Sequence, residues 1–155
     1  MQTRTLRLSN QLVRTVTGPM WHGPSLAELL RGVSHRQAAA RPISGAHTIW
    51  EIVRHTIAWA EIARARLRGE RTGDPSPEED WPPVGAVTAE EWAATVSRLH
   101  ETHQALAMDV RQLDDAVLDG RVTGLDYTVA TLVRGVVEHG TYHGGQIALL
   151  KRALE

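Results

Sequence analysis

The stretch "TVATLVRGVVEHGTYHGGQIALLKRALE", residues 128–155, decides how the chain is read. Thr128 is a residue suited to cap a helix. Behind it, Leu132, Val136, His139, His143, Ile147, Leu150 and Leu154 recur every three or four positions. That period is the inward stripe of a long helix. The stripe turns two imidazoles four residues apart towards the core. Such residues differ by about 40° in angle and about 6 Å in height, so both rings can reach one metal ion. Two neutral histidines packed together without it would each need partners for polar nitrogens. A surface-leaning, hydrogen-bonded pair is the other reading. Gly135, Gly140, Gly144 and Gly145 lie in the same helix. Each costs about 1 kcal/mol relative to alanine. Close helix packing, or room beside the histidines for a metal and its substrate, would repay that cost.

Three more long segments have the same period. Around Thr3 to Thr17, Leu6, Val13 and Val16 are expected inward. "GPMWHGPS" interrupts this helix, and Ser25 with Glu28, then Ser34, open short turns up to Pro42. Thr48 and Glu51 form a capping box for "IWEIVRHTIAWAEIARARLRG", which stops at Gly69 and turns Ile52, His55, Trp59 and Ile62 to one face. Thr88 and Glu91 form another box. The helix after it carries Trp92, Val96, Leu99, His103, Leu106, Val110 and Leu113 inward. Between these two helices, "ERTGDPSPEEDWPPVGAV" at residues 70–87 holds four prolines and two glycines. It is expected to be a long connection without helix, able to cross the bundle. No segment has the pattern of a strand. The chain is expected to be an all-α four-helix bundle forming one domain over residues 1–155.

The totals narrow the function. The chain has 155 residues, a formal net charge of −1 and no cysteine. Mixed charge offers no basic face for nucleic acid. Without cysteine there is no disulfide, no thiolate metal ligand and no protein thiol nucleophile. No signal peptide or membrane span is apparent, so a cytoplasmic protein is expected. Eight histidines beside two tyrosines and no phenylalanine are an unusual balance.

His139 and His143 need a third ligand from another helix, and both His55 and His103 qualify by spacing. Three histidines with an open position make a catalytic type of metal site. Glu does not follow His139, so this is not a zincin motif. The paired Glu-x-x-His of di-iron bundles is also missing.

"WHGPSLAELL", "RPISGAHTIWEIVRHTIAW" and "VEHGTYHGGQIALLK", in that order, resemble the DinB/YfiT-like superfamily over nearly the whole chain. The resemblance implies an up-down-down-up bundle with a long crossover between helices 2 and 3. It also implies a metal held by one histidine of helix 2 and an H-x-x-x-H pair of helix 4. Those positions are His55, His139 and His143. With helices 2 and 3 parallel, His103 would sit about 10 Å from His55 in height. It is then a core histidine with a hydrogen-bond partner. His100 is expected to face solvent.

Relatives include thiol-dependent transferases and isomerases, such as mycothiol-dependent maleylpyruvate isomerase and bacillithiol S-transferases. The implied function is a metal-dependent enzyme that activates a low-molecular-weight thiol for S-transfer to a small molecule. A metal-dependent hydrolase is the alternative, and a metal-binding stress or interaction protein without turnover is a third reading. One divalent ion is expected, zinc or nickel before iron or manganese. A homodimer is expected, with no nucleic-acid or membrane partner. His22 and His47 are read as loop-packing and capping residues that can reach the pocket mouth. A sealing fourth ligand such as His47 would favour the structural role. Gln146 is read either as a support of His143 or as an interhelical contact. The five tryptophans are read mainly as core and loop anchors, with Trp59 nearest the site.

Overall fold

The computed structural model describes residues 2–155. Four long helices form a bundle: α1 (Arg4–Thr17), α4 (Ile49–Leu67), α6 (Ala89–Arg111) and α7 (Val129–Ala153). Short helices α2 (Leu26–Leu30), α3 (His35–Ala39) and α5 (Pro77–Asp80) decorate the connections, and a 3-10 turn covers Asp115–Asp119. There is no strand among the described residues, only two isolated bridges. No helix among them is long and apolar enough to cross a membrane.

Caps fix the helix starts. Thr48 accepts from the Glu51 amide at 3.1 Å, and Glu51 accepts from the Thr48 amide at 2.7 Å. Each bond satisfies a donor that the helix itself leaves unpaired. At α6 only half of the expected box forms: Thr88 accepts from the Glu91 amide. Side-chain bonds give the direction of each helix. Trp50 donates to Thr95, and Arg64 to Asp109, so α4 and α6 run parallel. His55 meets His139 while Arg66 meets Tyr127, just before α7, so α4 and α7 run antiparallel. The amides of Arg4 and Thr5, at the start of α1, donate to Asp115 beyond the end of α6. Helix α1 is therefore antiparallel to α6, and the order is up-down-down-up.

The core has two apolar clusters. One holds Trp50, Ile52, Leu99 and Ile147; the other holds Leu12, Leu106, Val110 and Val133. The inward face of α1 differs from the expected one. Leu8, Leu12 and Val16 are buried, together with Thr5, Ser9 and Thr15, while Leu6 and Val13 are only partly buried. Polar residues on the buried face hide the stripe. Thr15 can be buried because its hydroxyl donates to the Gln11 carbonyl at 2.9 Å. Trp21 is also not an anchor, being 99% exposed. Residues 70–87 depart from an all-loop connection at α5, where Ser76 and Glu79 form a capping box.

The glycines of α7 divide by role. A Cβ on Gly140 would lie 2.5 Å from Thr15 Cγ2, and one on Gly144 would meet Leu26 and Leu29 at ordinary contact distance. Gly140 therefore lets α1 approach α7. Gly145 faces open space. Replacing Gly140 by leucine should cost about 1–3 kcal/mol through overpacking. Replacing Gly145 by alanine should add up to about 1 kcal/mol of helix propensity. Urea unfolding of both variants beside the wild type reads the difference.

Candidate metal centre

The structure brings together His55 of α4 with His139 and His143 of α7. Their ligand nitrogens all lie within 4.8 Å of one another. The His139 and His55 Nε2 atoms are 2.8 Å apart, and the His143 and His139 Nε2 atoms are 3.0 Å apart. His55 and His143 are buried, and His139 is partly buried.

The far side of two rings fixes their tautomers. His55 Nδ1 lies 2.6 Å from the Asp80 carbonyl, which can only accept, so Nδ1 carries the proton. His143 Nδ1 lies 2.6 Å from Gln146 Oε1, and the Gln146 amide donates to the Tyr142 hydroxyl at 3.1 Å. Both rings therefore turn a bare Nε2 lone pair towards His139. His139 Nε2 can carry at most one proton, which satisfies one of its two short contacts. The other would leave a lone pair facing a nitrogen that has no proton to give it. A cation among the three nitrogens resolves this, so the donor set fits a metal ion: three neutral imidazoles with second nitrogens tied back in two of them. His139 Nδ1 is buried without a partner.

The surroundings keep the rings neutral. Burial, then the neighbouring His143 and His55, push the His139 imidazole down to about 3. Burial lowers His55 against the opposing pull of Asp80, and lowers His143 against that of Gln146. Neutral imidazole is the form that binds metal.

The crossover supplies the wall. Trp81 stacks between His55 and His47, with ring centroids 3.8 and 3.6 Å away. Trp59 donates to Asp80 Oδ1 at 2.6 Å and sits at an angle to His139 with centroids 5.9 Å apart. Asp80 thus holds His55 with its carbonyl and Trp59 with its carboxylate. A cavity of about 290 Å³ opens beside His139, bordered also by Trp59, Leu132, Gly135 and Val136.

The other histidines stand apart from the cluster. His47 is exposed, 3.4 Å from Glu51, and is not a fourth ligand. His22 is exposed, and His100, expected to face solvent, is half-buried. Gln146 supports His143. His103 is a core residue whose Nδ1 lies 2.9 Å from the Leu99 carbonyl, with Nε2 buried and unpartnered. Asp80 and Trp81 escaped the sequence reading. The capping residues Ser76 and Glu79 inside "PSPEEDW" were the signal for an ordered turn there.

A family model described as the DinB superfamily matches residues 21–147, a span that contains all three histidines. No curated protein and no solved structure matches the chain.

His103 makes a pH prediction. Burial pushes its imidazole from 6.5 down to about 4, so folding favours the neutral form. Its stabilising contribution is complete above pH 6.5 and is lost as pH falls towards 4. The loss is about 3 kcal/mol, from the size of that shift. Comparing wild type with His103→Leu by urea unfolding between pH 7 and pH 4, with chelator present, should show the smaller pH loss in the variant.

Proposed function

This chain belongs to the DinB superfamily, and on that premise we propose that it is a metal-dependent S-transferase working with a low-molecular-weight thiol. The carrying observation is the convergence of three Nε2 atoms beside a cavity. His55, His139 and His143 would hold one divalent ion, zinc or nickel before iron or manganese. When bound, such an ion supplies a thiolate at neutral pH, where a free thiol near pKa 8.5 is mostly protonated.

The chain's own residues do the rest. Asp80 and Gln146 keep His55 and His143 aimed at one point. Trp59 and Trp81 shield the rings from water. Val136 and Leu132 offer an apolar surface to the electrophile. The chain has no cysteine, so the reacting sulfur arrives with the small molecule. The new sulfur–carbon bond forms as the electrophile's leaving group departs with its electron pair and the thiol proton passes to solvent, or as the thiol adds across a double bond and the neighbouring carbon takes up a proton from solvent in place of the one the thiol lost. A homodimer belongs to the same reading, supported by the outward Trp21, Tyr142 and Leu149.

Each of His55→Ala, His139→Ala and His143→Ala should lower metal affinity by more than the roughly 10–100-fold that loss of an outer partner costs. All three variants should keep wild-type helical circular dichroism. Turnover of an electrophile such as 1-chloro-2,4-dinitrobenzene should require both metal and added thiol, tested with mycothiol, bacillithiol and glutathione. Ester or amide cleavage that needs metal but no thiol would replace this reading with a hydrolase. Metal binding left intact in all three variants would remove the site.

A further inference from the structure

The inward stripe of α4 continues past Ile62 to an arginine. Arg66 is 4% exposed. Its cation cannot be relieved by losing a proton. Nη1 donates to the Tyr127 hydroxyl at 2.8 Å and Nη2 to the Gly73 carbonyl at 3.0 Å, while Nε is buried without a partner. Asp74 is 3.7 Å from Nη2, but its side chain is 94% exposed, so the pairing is weak. The Trp59 ring, 5.6 Å from the guanidinium carbon, adds a cation–π contact. A buried charge is costly unless an opposite charge compensates it. Neither neutral acceptor does so.

Arg66 borders the same 290 Å³ cavity that His139 borders. Tyr127 stands with Arg66. Its hydroxyl accepts from Arg66 and keeps its own proton to donate. Thr131, Gly135 and His139 line the cavity along α7. From Thr131 to His139 the helix rises about 12 Å. A Cβ on Gly135 would meet nothing within 4 Å. Its missing side chain leaves that stretch open.

We propose that the cavity binds an amphipathic carboxylate, with its anionic end at Arg66 and Tyr127 and its apolar body between Trp59, Leu132 and Val136. The opposite end then faces His139. This names the substrate class for the proposed transferase and rests on that reading only for which end reacts. Binding of the carboxylate itself needs no metal.

The probe is 4-phenylbutyrate, beside its neutral amide, titrated calorimetrically into the full chain with chelator present. Zinc binding is measured separately on each protein. Wild type should bind the acid about 10-fold or more tightly than the amide, the worth of a charge-assisted hydrogen bond. Arg66→Gln and Tyr127→Phe should narrow that preference. Gly135→Leu, which leaves Arg66 in place, should abolish binding of both while zinc affinity stays within about 2-fold, a shift worth only ~0.4 kcal/mol. No acid binding by wild type, equal affinity for acid and amide, or unchanged binding in Gly135→Leu would overturn the proposal. Acid binding with no zinc binding would leave the cavity assignment standing and remove the metal reading instead.

Discussion

Two hydrogen bonds govern the centre of this molecule. His55 gives its Nδ1 proton to the Asp80 carbonyl, and His143 gives its own to Gln146. Each bond fixes a tautomer, and with it the direction of a lone pair on the opposite side of the ring. Since both lone pairs point at His139, the three rings form a set of donors in need of a cation. Burial strengthens that need, because it also disfavours protonation as a way out.

The topology makes the first of these bonds available. Parallel α4 and α6 cannot be joined by a tight turn, so the chain must travel the length of the bundle between them. Residues 70–87 make that journey, and its last part passes the site. Asp80 closes the one-turn helix α5, placing its carbonyl on His55 and its carboxylate on Trp59. Trp81 then inserts between His55 and His47. A connection demanded by helix direction thus also completes the wall of the site.

Much of this was legible in the sequence, and the remainder was hidden for physical reasons. The stripes of α4, α6 and α7 are written in large apolar residues and bounded by threonine caps, so their faces could be read. The inward spacing of His139 and His143 was equally plain. On α1, buried Thr5, Ser9 and Thr15 broke the apolar pattern; a hydroxyl bonded to its own helix, as in Thr15, or to Asp115, as in Thr5, passes for a surface residue in the sequence. Spacing alone left His55 and His103 as equal candidates. What separates them is helix direction and height, which belong to the assembled bundle. Asp80 acts partly through its backbone carbonyl, a group every residue carries, so no motif announced it. Arg66 was visible as the next position of the α4 stripe. Its burial and its neighbour Tyr127, from the turn just before α7, were not.

The most direct test of the centre is X-ray absorption at the zinc edge on the zinc-loaded full chain. Three imidazole nitrogens at about 2.0–2.1 Å, with the multiple-scattering pattern of histidine and one further light-atom ligand, are the predicted result. A shell dominated by carboxylate or water oxygen, with one imidazole or none, would contradict a metal centre at His55, His139 and His143.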